Sequence, residues 1–145
     1  QEIFRESLDP TLLHFFFGLI GTVSALITHT WVFFYFIGTG EGIREGVLVN
    51  KLDIAAIKKT KRFKGKTFPF ALFSMLFLIT TSILGGALRF GDVSKIWHQF
   101  FTYASVALNL FAFYMEFKTI QENRALTASL NAQIEANQNK ATLSS

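Results

Sequence analysis

Three apolar blocks, each long enough to cross a bilayer as a helix, limit what this chain can become. Residues 11–37 and 68–88 contain no Lys, Arg, Asp or Glu, and residues 96–117 contain only Glu116. A hydrocarbon core of ~30 Å is crossed by about 20 mostly apolar residues in a helix. In lipid a lone segment must satisfy its own backbone N–H and C=O groups, which the α-helix does. The expected fold is therefore all-α, an integral membrane bundle of three transmembrane helices. Residues 1–10 form a short outer lead, residues 11–117 the membrane domain, and residues 118–145 a cytoplasmic tail, helical but fraying toward its end.

Local signals punctuate these blocks. Asp9-Pro10 reads as an N-cap followed by a first-turn proline. Gly38-Thr39-Gly40-Glu41-Gly42 reads as a helix stop, since closely spaced glycines favour turns. Thr67-Phe68-Pro69 reads as the start of the second span. Between them, Leu52–Phe63 is expected to make a short amphipathic helix, continued by the basic run Lys58, Lys59, Lys61, Arg62, Lys64 and Lys66. Such a segment would lie on an anionic membrane surface. Gly91-Asp92 sits in the short second connection. In the tail, Leu126, Leu130 and Ile134 recur at a four-residue step, a thin stripe for a partner helix.

The charge is concentrated rather than spread. The formal net charge is +4, and most of the excess lies in the loop around residues 43–66. Basic loops beside spans stay in the cytoplasm. The N-terminus is then outside, the tail inside, and the expected location is a bacterial inner membrane. The basic run offers only Phe63 and Phe68 for base stacking, so nucleic acid is not an expected partner. Cysteine is absent. That excludes disulfides, thiolate metal sites, iron–sulfur clusters and covalent haem attachment. No Ser/His/Asp set, paired carboxylates or zinc-protease motif is present, so no independent catalytic activity is expected.

Polar and small residues mark the interior of a membrane bundle. Placed at about 100° per residue, His14, Gly18, Gly21, Thr22, Ala25, Thr28 and His29 share a broad stripe of the first span. Gly18 and Gly21 are expected at a close contact with a helix or a cofactor. Ala71, Ser74, Thr81, Ser82 and Gly85 share a face of the second. His98, Thr102, Ser105, Asn109, Ala112 and Glu116 share a narrow face of the third. Asn109 is expected to anchor an interhelical hydrogen bond, and Glu116 to be solvated near the inner boundary.

The chain has three histidines, all in the spans. His14 and His98 are expected at one depth near the outer face. His29 lies on the His14 stripe ~22 Å further along. Facing helices supply axial imidazoles to haem iron, and small residues leave room for the macrocycle. His14, His98 and His29 are thus the candidate cofactor residues, with His14 and His98 the iron ligands of a haem b. Met75 or a symmetry-related His29 would complete a second site. The functional expectation is an electron-transfer subunit serving quinone or a redox partner, among membrane lipids and other subunits or its own copies. The rival is a non-catalytic structural or assembly subunit of a larger membrane complex, because His, Ser, Thr and Asn also glue membrane helices together.

Overall fold

The computed structural model describes residues 10–91 and 93–143, apart from the side chain of Arg89, and contains three helices joined by two tight turns. Helix α1 spans Pro10–Val49, α2 Ala55–Arg89 and α3 Lys95–Leu143. Each is long and apolar enough to cross a membrane, and no strand occurs among the described residues. At 1.5 Å per residue the helices are ~60, ~52 and ~74 Å long. All three therefore overrun a hydrocarbon layer of ~30 Å. The Asp9 cap lies outside the described residues, and Pro10, the first of them, is already helical.

The glycine segment does not stop α1. The helix runs through Gly38–Gly42 to Val49 because tertiary contacts hold it there. A Cβ at Gly40 would lie 2.8 Å from Lys64 Nζ and 3.0 Å from Thr60 Cγ2, so this glycine lets α2 approach closely. Asn123 Nδ2 donates to Thr39 Oγ1 at 3.0 Å and to Tyr35 Oη at 3.2 Å, tying α3 to the same turn. The actual stop is Lys51, in the left-handed region at φ 52. Leu52 N–H reaches the Val47 carbonyl at 2.9 Å and Lys51 N–H the Leu48 carbonyl at 3.4 Å. This is a Schellman closure, and Leu52 packs on the cluster containing Val47, as that motif favours.

The expected amphipathic loop helix is instead the first part of α2. Asp53 Oδ1 accepts the Ala55 N–H at 2.8 Å, and the helix continues without interruption past Pro69. Proline in a helix interior removes one N–H and crowds the carbonyl four residues earlier. That residue is Gly65, whose backbone adjusts readily. The buried positions Ala56, Thr60, Phe63, Thr67, Ala71 and Ser74 keep a helical three-and-four spacing across the proline. The basic run thus stands on a helix of the bundle, with Lys58, Lys59, Lys61 and Arg62 on its exposed faces.

The bundle changes character along its length. Toward the basic end Ile43, Val47, Ala56 and Leu130 form one apolar cluster, and Val32, Phe36 and Phe63 another, with Thr60, Thr67, Thr119 and Asn123 also buried there. Leu126 packs against both, so the tail stripe is used within the chain. In the apolar blocks the outer surface is apolar. Phe16, Phe17, Ile20, Trp31, Phe34, Tyr103 and Leu110 point outward, while His29, Ser74, Ser105, Asn109 and Glu116 are buried. Apolar outside and polar inside is the arrangement that lipid selects.

Candidate functional site

The bundle carries two histidine sites at different depths, one with His14 exposed and His98 half-buried, the other with His29 fully buried. The first lies at the end of the bundle where α1 begins and α2 meets α3. His14 and His98 face each other there, with ring centroids 6.5 Å apart and ring planes at 88°. Gly85 of α2 seats the His98 ring: a Cβ on that glycine would stand 3.0 Å from Cε1. His98 Nδ1 is buried and has no hydrogen-bond partner. The rings border a cavity of about 810 Å³. Gly18, Leu19 and Ile83 contribute apolar wall, and Thr11, Lys95 and Gln99 contribute polar groups. Thr22 and Ser82, hydrogen-bonded at 2.9 Å, also line it and fasten α1 to α2. Thr102 Oγ1 donates to the His98 carbonyl at 2.7 Å.

The second site is sealed. His29 is fully buried, and both its ring nitrogens are engaged by α3. Nδ1 lies 2.6 Å from Glu116 Oε1, and Nε2 lies 3.1 Å from Asn109 Oδ1. Phe113 stacks on the imidazole at 4.7 Å between centroids and 13° between planes. Asn109 Nδ2 donates in turn to the Ser105 carbonyl at 2.8 Å. Glu116 is 2% exposed, so the expectation that it is solvated is wrong. It lies seven residues from Asn109, on the same face of α3, and the helix interface that takes Asn109 inward takes Glu116 with it.

The structure therefore brings His14 and His98 together and places His29 elsewhere. Asn109 makes an interhelical hydrogen bond. Met75 is half-buried on α2, at the depth of His29 by the register that pairs Thr22 with Ser82 and Phe36 with Phe68. Gly18 and Gly21 have nothing within 4 Å of an added Cβ, so neither marks a helix–helix contact; Gly18 lines the cavity instead. The close glycine contacts are at Gly40 and Gly85. Among the described residues no group of three or more His, Cys, Asp or Glu could hold a bare metal ion. Two imidazoles alone are a short ligand set for zinc or copper. They are the full protein complement for haem iron, whose other four ligands belong to the macrocycle. Comparison with protein-family models, with curated proteins and with solved structures finds no match for this chain.

Proposed function

We propose that this chain is a membrane electron-transfer subunit that binds haem b, with His14 and His98 as the axial ligands. The observation that carries the reading is the opposition of those two rings beside a large, mostly apolar cavity. Metal–imidazole bonds of ~2 Å on each side, plus about 1 Å from nitrogen to ring centre, put opposed imidazole centroids roughly 6 Å apart. The 6.5 Å separation is close to that figure. The cavity, about 810 Å³, falls in the range of ~300–1,000 Å³ usual for small-molecule and cofactor sites.

When bound, haem would supply one-electron chemistry at its iron. The chain's own residues would hold it in place and shield it. Gly85 positions the His98 ring, Leu19 and Ile83 offer apolar contact, and Lys95 and Gln99 offer donors to its carboxylates. His29 is left out of the iron site, since Glu116 and Asn109 occupy both its nitrogens. The basic stretch Lys58–Lys66 supports a cytoplasmic position for that end, which sets the histidine pair near the outer face of a bacterial inner membrane. Quinone in the bilayer or a redox protein outside it would then be the electron partner.

The test is the visible spectrum of protein purified from haem-replete cells. The expected result is a low-spin haem with a sharp α-band on reduction with dithionite, lost in both His14→Ala and His98→Ala. His29→Ala should retain the band. A featureless spectrum would return the chain to the rival reading, a structural or assembly subunit of a larger membrane complex.

A further inference from the structure

The donors and acceptors around His29 determine where its protons are. Asn109 Nδ2 donates to the Ser105 carbonyl, which turns Oδ1 toward His29 Nε2. An amide oxygen only accepts, so Nε2 carries a hydrogen. Turning the amide over would set Oδ1 against the Ser105 carbonyl, acceptor against acceptor. At the other edge of the ring, Nδ1 and Glu116 Oε1 are 2.6 Å apart, and a contact that short has a proton in it. Two states satisfy both edges. In one, a cationic ring donates from Nδ1 to the Glu116 carboxylate. In the other, the Glu116 carboxylic acid donates to Nδ1 of a neutral ring. They differ by the transfer of one proton along one hydrogen bond, with no electron moved, and both are neutral overall.

The surroundings favour that neutrality. Between Lys66 and Arg89, α2 has no charged residue. Between His14 and Glu41, α1 has His29 and Tyr35 as its only titratable groups. Between His98 and Lys118, α3 has Glu116 and two tyrosines, Tyr103 and Tyr114, both exposed on the outer surface. Tyr35 accepts from Asn123 two turns toward the basic end. Among the described residues no counter-charge faces the pair, so losing its proton would leave a lone buried anion, which is costly.

We infer that His29 and Glu116 form a buried proton-binding site, whose ligand is a single exchangeable proton held between imidazole and carboxylate. A second observation supports exchange. The hydroxyls of Thr67, Ser74 and Ser105 are buried without hydrogen-bond partners. Register sets Ser74 at the depth of His29, and Ser105 lies one turn from Asn109. Buried hydroxyls pair with protein or with internal water, and these have no protein partner. Transient internal water bonded to these hydroxyls would carry a proton to a pair that is otherwise closed off. Toward the basic end, Thr119, Asn123 and Thr39 lead to a mostly apolar cavity of about 260 Å³, lined by Ile43, Val47, Leu130 and Ile134 together with Thr39, Thr127 and Asn131. The site stands independently of the haem proposal.

The experiment is nitrogen NMR of the full chain in lipid, with isotope-labelled histidine and His14→Gln and His98→Gln, which leaves His29 as the sole reporter. Between about pH 5 and 8, where an ordinary histidine changes state, Nε2 should stay protonated and Nδ1 should show a shared proton. The signal should exchange with deuterium on transfer to heavy water. A bare Nε2 or a simple titration to neutral imidazole would overturn the inference, as would a signal that never exchanges. Should the double variant fail to fold, the His29 signals are assigned in the native chain by their loss in His29→Gln, with the same outcomes deciding.

Discussion

His98 and His29 show how differently one residue type is used in a single bundle. His98 rests on a glycine, leaves Nδ1 without a partner and borders a cavity. His29 is stacked, sealed and bonded at both nitrogens. The two should respond differently to substitution. Gly85→Val puts a branched side chain where the His98 ring sits, so it should reduce haem retention at least as severely as a direct ligand loss. Gly21→Ala, with open space around its Cβ, should leave the spectrum and the melting temperature in detergent unchanged. Equal effects from both would show that His98 does not depend on its glycine seat. Glu116→Ala leaves a buried imidazole nitrogen unpaired, which costs about 1–3 kcal/mol. His29→Ala removes the same bond, so the double variant should be no worse than the more damaging single one. Additive losses in chemical unfolding would mean that the two side chains act separately.

At the scale of helices, the chain resolves a competition between local signals and packing. Glycines at 38, 40 and 42 carry a real tendency to end a helix, and the sequence pattern alone assigned a stop there. The tendency is overridden by Lys64 and Thr60 closing on Gly40 and by Asn123 bonding Thr39. Neither contact is visible in a local window, because each joins residues far apart in the chain. The same holds for Pro69, which marked a helix start by local rule and proves to be interior. By contrast, the apolar blocks, the His14–His98 match and the inward face of Asn109 were legible, since each follows from periodicity or length. The true stop of α1 carries a residue poorly suited to it. Lysine in the left-handed region bears a steric cost of roughly 1–2 kcal/mol that glycine avoids. Lys51→Gly should therefore raise stability by up to about 1 kcal/mol, after glycine's larger chain entropy in the unfolded state is set against that relief. A lower melting temperature for Lys51→Gly would mean that the lysine side chain holds the turn in some other way.

For the whole molecule, charge bounds the stretch of each helix that a hydrocarbon layer can cover. The first charges met at the basic end are Glu41 on α1, Lys66 on α2 and Lys118 on α3. Contacts place Glu41 and Lys66 within about three residues of one height, because Gly40 lies under Lys64, while Lys118 sits ~10 Å deeper, because Thr39 meets Asn123. From the level of Glu41 α1 continues about 8 residues to Val49, a rise of ~12 Å, and α3 continues ~27 Å to Leu143. Continuous with the apolar stretch of α2, the basic run is expected to climb away from the membrane instead of lying along it. A depth measurement separates the two arrangements. Single cysteines at Lys66, Lys59 and Lys51, each carrying a fluorophore, would be exposed to a quencher attached to lipid headgroups. Projection predicts strong quenching at position 66, less at 59 and least at 51, over a climb of ~20 Å. A surface helix predicts similar quenching at all three. Labelling intact cells with a membrane-impermeant thiol reagent fixes the side. A cysteine at Ser94 should react from outside and one at Lys61 should not, because the basic excess stays in the cytoplasm. The reverse pattern would place the histidine pair at the inner face, where an electron partner would have to be cytoplasmic.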